Sequence, residues 1–151
     1  MTSPDSELSA IYRFELLADG LATSGQPRAV QFESIADAGY EAVINLALPT
    51  SENAIADEGS IVTALGLAYF HIPVEMERPT ADNLKTFIGL MRALNGKKVW
   101  VHCVANVGVS AFAYRYLRHV KGVDDSAKTR LFVRWEPKMD QTWRDFIALT
   151  P

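Results

Sequence analysis

Short runs of apolar, largely β-branched residues alternate along the chain with stretches whose apolar positions recur every three or four residues. The first pattern marks buried strands and the second amphipathic helices. Strands are expected at Ala42–Leu46, Ala68–Ile72 and Lys98–His102, with a weaker edge strand around Leu21–Ser24. Helices are expected at Ala29–Ala38, Ala54–Leu65, Ala81–Leu94, Val109–Val120, Ser126–Val133 and Gln141–Leu149. This alternation predicts an α/β fold, a central, mostly parallel sheet of four or five strands flanked by helices. Gly39, Gly66 and Gly96 each follow a helix, where a left-handed residue closes the last turn. Thr80, after Pro79, can cap the third helix through its hydroxyl. Within that helix Leu84, Phe87, Ile88, Met91 and Leu94 share one face and are read as core. No repeat, low-complexity tract or linker divides the sequence. Residues 1–151 are therefore read as one domain, with about residues 1–15 as a flexible or docking segment.

Composition narrows the picture. The chain of 151 residues is 48% hydrophobic and 22% charged, ordinary values for a globular domain. A net charge of −3 and a pI near 5.6 argue against nucleic acid, whose binding needs clustered Lys and Arg. No run is long and apolar enough for a membrane span, so no membrane partner is expected. The start of the chain is acidic and polar rather than signal-like, which sets a cytoplasmic location as the expectation for a chain that begins here. A lone cysteine excludes an internal disulfide. No Cys/His cluster has metal-ligand spacing, and neither a metal nor another cofactor is expected.

The chemistry concentrates in Val99-Trp-Val-His-Cys-Val-Ala-Asn-Val-Gly-Val-Ser-Ala-Phe. A buried strand should end at His102–Cys103, a short loop should follow, and a helix should start near Val109. Cys103 then stands at the carboxyl end of a strand, where open α/β sheets place ligands. Unpaired N–H groups at a helix start bind anions and favour a thiolate. Residues Val104, Ala105, Asn106, Val107, Gly108 and Val109 form the candidate anion-binding loop, and Ser110 could hydrogen-bond the thiolate or cap the helix. Asn106 reads as a loop-shaping residue.

These residues resemble the signature of protein tyrosine and dual-specificity phosphatases, and more closely a small bacterial phosphatase-like domain sometimes fused to a β-lactamase-like hydrolase. The likeness runs through Thr23-Ser-Gly-Gln-Pro, Gly39-Tyr-Glu-Ala-Val-Ile-Asn-Leu, Ile72-Pro-Val-Glu-Met-Glu-Arg-Pro-Thr, the His102-Cys-Val-Ala-Asn loop, and Trp135-Glu-Pro with Trp143. It implies a cysteine-phosphatase-like fold and a thiophosphate intermediate on Cys103. It also implies an arginine on the loop gripping the phosphoryl oxygens, and an acid that protonates the leaving oxygen. Glu75, with Glu77 close behind, is the candidate acid, and His102 a hydrogen-bonder beneath the loop.

The sequence departs from the family at the arginine. That residue falls five after the cysteine in the bacterial subfamily, where Gly108 stands here, and six after in the wider superfamily, where Val109 stands. Arg115 lies two helical turns beyond; Arg78 is the candidate surrogate. Three functions follow as expectations. One is a weakened or degenerate phosphatase. The second is a pseudophosphatase that binds a phosphate-bearing small molecule or phosphoprotein without turnover. The third, less well matched, is a rhodanese-like sulfurtransferase. Other polar and aromatic residues have plainer readings. His71 is expected to be a satisfied core histidine and His119 a helix-surface residue. Trp100, Trp135 and Trp143 are read as packing residues, and Asp124–Asp125 as a helix start.

Overall fold

The computed structural model describes residues 4–122 and 141–148. The chain forms two compact units, Met1–Pro73 with Gly96–Asn106, and Val74–Asn95 with Val107–Pro151.

The first unit holds α1 (Pro4–Ser9), β1 (Glu15–Ala18), β2 (Leu21–Ser24), α2 (Gln31–Asp37), β3 (Ala42–Asn45), α3 (Glu58–Ala64), β4 (Ala68–His71) and β5 (Val99–His102). Its five strands lie in the order β1-β2-β5-β3-β4, parallel except for β1. Every residue of β2, β3 and β5 is buried, which is why the last two read as continuous apolar runs. The parallel register sets Ser24, His102, Asn45 and His71 side by side at the carboxyl end of four strands. An apolar sheet thus ends in one polar row. The core beneath gathers Phe32, Ile35, Val43, Val62 and Leu67 around Trp100. The Trp100 ring stacks on Phe14 at 5.3 Å and meets the edge of Tyr40 at 5.2 Å, and its Nε1 donates to Ser24 Oγ at 2.9 Å.

Several sequence expectations need correction here. Leu21–Ser24 is not an edge strand: it sits between β1 and β5, and its small residues hide how deeply it lies. The stretch expected to be a flexible or docking segment carries α1, and Leu8 and Ile11 belong to the core. Helix α3 begins at Glu58 rather than Ala54, because the residues before it form turns, with the Ala54 N–H on the Ser51 carbonyl at 3.1 Å and the Glu58 N–H on the Ile55 carbonyl at 3.2 Å. His71 is exposed on edge strand β4, its Nε2 2.6 Å from the Ala47 carbonyl. Gly39, Gly66 and Gly96 have φ between 87° and 90°, as the helix ends require.

The second unit holds α4 (Ala81–Ala93), α5 (Val107–His119) and α6 (Gln141–Ile147). Thr80 caps α4 with a full capping box: its hydroxyl accepts from the Asn83 backbone, and the Asn83 side chain accepts from the Thr80 backbone. The core of this unit is aromatic, with Phe112 of α5 meeting Phe87 of α4 at 5.6 Å, and Trp143 and Phe146 of α6 at 6.3 and 4.7 Å. His119 is exposed, as expected. The expected helix Ser126–Val133, Trp135 and Asp124–Asp125 lie outside the described residues.

Candidate functional site

Cys103 follows β5 directly and is 3% exposed. The three residues after it are tied down by side chains and backbone of the first unit. The Gln26 backbone N–H donates to the Val104 carbonyl at 3.0 Å, and Gly25 pairs with Ala105 in an isolated antiparallel bridge. Arg13 Nη1 donates to the Ala105 carbonyl at 3.1 Å. Asn106, left-handed at φ 68°, donates from Nδ2 to the Arg13 carbonyl at 2.7 Å and to Thr23 Oγ1 at 3.2 Å. Asn106 is thus the loop-shaping residue the sequence suggested. The approach is so close at Gly25 that a Cβ there would stand 2.5 Å from the Val104 carbonyl oxygen and 2.5 Å from the Tyr12 ring. Only glycine fits, which gives the Thr23-Ser-Gly-Gln-Pro motif a physical reason.

Beneath Cys103, His102 Nε2 lies 2.6 Å from Glu58 Oε2, and both side chains are essentially inaccessible, at 0% and 2%. Gln26 Nε2 donates to Glu58 Oε1 at 2.8 Å, and Asn45 Nδ2 donates to the Tyr69 hydroxyl at 3.0 Å. Burial alone would raise the Glu58 pKa. The hydrogen bond and charge of His102, with bonds from Gln26 and Tyr69, outweigh it and hold the carboxyl below its ordinary 4.5. Tyr69 moves the other way, pushed up to about 12 by burial and by the negative charge of Glu58. The sequence expectation found His102 but missed Glu58, Arg13, Thr23 and Gln26. Gln26 and Thr23 lay within a noted motif; Glu58 opens an amphipathic helix with no local mark of burial.

A groove of about 530 Å³ opens among the loops that follow β2, β3 and β5, lined by Tyr12, Gln26, Arg28, Asn53, Ile55 and Val104. Its size falls in the range of small-molecule sites, and it lies at the sheet edge where α/β folds bind ligands.

The remaining candidates belong to the second unit. Val107, Gly108, Val109 and Ser110 form the first turn of α5, which starts two residues earlier than expected. Gly108 is closely packed: a Cβ there would lie 2.7 Å from the Met76 sulfur and 3.0 Å from the Trp143 ring. Val109 and Ser110 are fully buried. Arg115 is buried too, its Nη1 donating to the Ile147 carbonyl at 2.7 Å, and burial lowers its pKa. Arg78, the candidate surrogate, pairs with Glu75, the candidate acid, at 2.9 Å; their side chains are 78% and 52% exposed. The bond to Glu75 raises the Arg78 pKa. Glu77 is exposed. Among the described residues no cluster of His, Cys, Asp and Glu could hold a metal, and no helix is long and apolar enough to cross a membrane.

A parallel sheet, a cysteine at its carboxyl edge and a helix four residues on define the dual-specificity and tyrosine phosphatase class. Solved structures agree. A DUF442 phosphatase-family protein of Shewanella putrefaciens CN-32 is 32% identical over 94% of this chain and 93% of its own, with a TM-score of 0.88. TpbA of P. aeruginosa (16% identity, 100% and 89% covered, TM-score 0.72) shares the fold. So does the catalytic core of the PP-IP phosphatase SIW14 of S. cerevisiae (13% identity, 93% and 87% covered, TM-score 0.73). Residues 20–118 match the family described as "Polymorphic toxin system, DSP-PTPase phosphatase", and the chain belongs to that family. A comparison with curated proteins finds no match.

Proposed function

We propose that this chain is a cysteine-dependent phosphatase of weakened or degenerate activity, with Cys103 as the nucleophile toward a phosphate-bearing small molecule or phosphoprotein. The observation that carries the reading is the packing at Gly108. Met76 and Trp143 stand where a side chain would begin, so the position is built for glycine. An arginine supplies the planar, bidentate charge that grips a phosphoryl group in the transition state, and neither Gly108 nor Val109 can. In the proposed cycle the Cys103 thiolate attacks phosphorus and the ester oxygen leaves with a proton from Glu75 or Glu77. Water then cleaves the thiophosphate. Backbone N–H groups of residues 104–109 and the Ser110 hydroxyl hold the oxygens, and His102 supports the loop from below. Arg78 is the candidate replacement cation. The groove beside Val104 offers room for the organic part of the ligand, with Arg28 as a charged wall; TpbA has been crystallised with phosphotyrosine.

A second reading, a binding module without turnover, is favoured by one observation. The proposed surrogate and the proposed acid are paired with each other, so using either requires breaking that pair. Turnover of an aryl phosphate by the full chain separates the two readings. The phosphatase reading expects a rate at least about 10²-fold below that of an arginine-bearing relative, abolished by Cys103→Ser. A rate that survives Cys103→Ser rules the cysteine mechanism out. Phosphate binding with no Cys103-dependent rate establishes the binding module. Glu75→Gln and Glu77→Gln then tell which acid serves.

A further inference from the structure

The groove that opens at Val104 has a chemistry of its own. Its lining is apolar or aromatic at Tyr12, Ile55 and Val104, amide at Gln26 and Asn53, and charged only at Arg28. Tyr12 is 52% exposed, yet it is held firmly. Its carbonyl accepts from the Gly25 N–H at 2.8 Å, the edge of its ring lies against Gly25, and the Arg13 guanidinium sits 5.1 Å from the ring centroid. A ring fixed in this way offers apolar surface that loses little freedom when a ligand packs on it. Arg28 stands on an equally fixed backbone: Pro27 precedes it, and its own N–H donates to Gln31 Oε1 at 2.8 Å. Its guanidinium is exposed and has no ion pair among the described residues. The neighbouring charges are already engaged, Glu58 on His102 and Gln26, and Arg13 on the Ala105 carbonyl. A chain of net charge −3 thus presents a groove whose one charge is positive.

We propose that the groove selects a small aromatic phosphate monoester carrying a carboxylate, with Tyr12 as the surface for its ring and Arg28 as the specificity-determining contact for the carboxylate. The proposal rests on the reading of Cys103 and its loop as the phosphate-ester site. Three observations choose the ligand. The volume of about 530 Å³ is that of a small-molecule site. The exposed, fixed ring suits a flat apolar partner. The planar fork of Arg28 matches a carboxylate with two parallel bonds, and a single cation balances its single charge. A contact of this kind, remote from phosphorus, supplies binding energy to a chain whose loop has no arginine.

The test is equilibrium binding to the full chain carrying Cys103→Ser, which separates binding from turnover. The probes are inorganic phosphate, phenyl phosphate, and the tighter of meta- and para-carboxyphenyl phosphate. The carboxyphenyl ester is expected to bind about tenfold more tightly than phenyl phosphate. Arg28→Gln should bring that ratio to about one, and Arg28→Lys should keep only part of it, since an ammonium has the charge without the fork. Tyr12→Ala should weaken both esters about fivefold relative to inorganic phosphate, and a ratio that it leaves in place overturns the ring contact. Equal binding of the two esters, or a preference that Arg28→Gln leaves in place, overturns the proposal and keeps Cys103 as nucleophile. Aryl phosphate turnover that survives Cys103→Ser removes the Cys103 reading instead. A phosphotyrosine peptide that binds more tightly than the carboxyphenyl ester and does not respond to Arg28→Gln assigns the groove to a protein, and overturns the small-molecule substrate.

Discussion

The two ends of the stretch from Cys103 to Ser110 are held by different forces. From Cys103 to Asn106 the chain is fixed by directed polar bonds: Gln26 on Val104, Arg13 on Ala105, Asn106 on Arg13 and Thr23, with Glu58 and His102 beneath. From Val107 onward it is fixed by apolar contact, with Met76 and Trp143 against Gly108 and an aromatic cluster around Phe112. Each end contains, or leans on, a glycine with no room for a Cβ, but the obstacles differ. At Gly25 the obstacle includes a backbone oxygen, which cannot rotate away. At Gly108 it is a thioether and the rim of an indole, which can. The polar end therefore specifies one geometry, while the apolar end can be repacked by substitution.

The most damaging way to probe the polar end is to break its buried pair. Glu58→Ala leaves His102 buried opposite nothing and is expected to cost about 3–5 kcal/mol in denaturant unfolding. A cost under about 1 kcal/mol would show that the pair is not the keystone of that end. The same carboxylate sets a pH dependence. Its folded pKa lies below its unfolded value, so its contribution is fully present above about pH 4.5 and is lost as pH falls through the depressed folded value. Between about pH 4.5 and the acid limit wild type should lose stability more steeply than Glu58→Gln, and parallel acid curves would contradict this.

Gly25→Ala comes next, an overpacking against backbone expected to cost about 2–3 kcal/mol. Gly108→Ala should cost less, about 1–2 kcal/mol, because Met76 can move aside. The ranking is the sharp part: if Gly108→Ala proves the costlier, the polar end is not the stiffer one. The same difference governs rescue. Gly108→Arg alone should restore little aryl phosphate turnover. Gly108→Arg with Met76→Ala should restore more, since the second change removes the 2.7 Å obstacle. Equal rates for the two would mean that space is not what excludes a guanidinium.

The smallest effect belongs to the exposed pair. Arg78→Ala should leave the denaturant unfolding curve essentially unchanged, since exposed ion pairs contribute little. Any loss of turnover it causes is then a statement about chemistry alone.

Legibility in the sequence followed the same division between local and distant forces. Three parallel strands, the capping of α4 by Thr80 and the left-handed Gly39, Gly66 and Gly96 were readable, because periodicity and turn chemistry act within a few residues. The position of Cys103 at a strand end before a helix was readable for the same reason. The depth of Leu21–Ser24 was not. Small and polar residues carry no apolar signal, and only pairing on both sides buries them. Nor was the role of Arg13, whose left-handed backbone and guanidinium gain meaning only beside Ala105, 92 positions away.

By itself the sequence determined which elements form, where the lone cysteine sits, and that no arginine stands five or six residues after it. Those are properties of short windows, decided by spacing and side-chain type. Only the tertiary structure decided that Glu58 is buried against His102 across 44 positions, and that Met76 and Trp143 pack directly against Gly108. Both depend on close packing of residues far apart in the chain, where a shift of an ångström separates an ion pair from a void. No local pattern encodes distances of that kind.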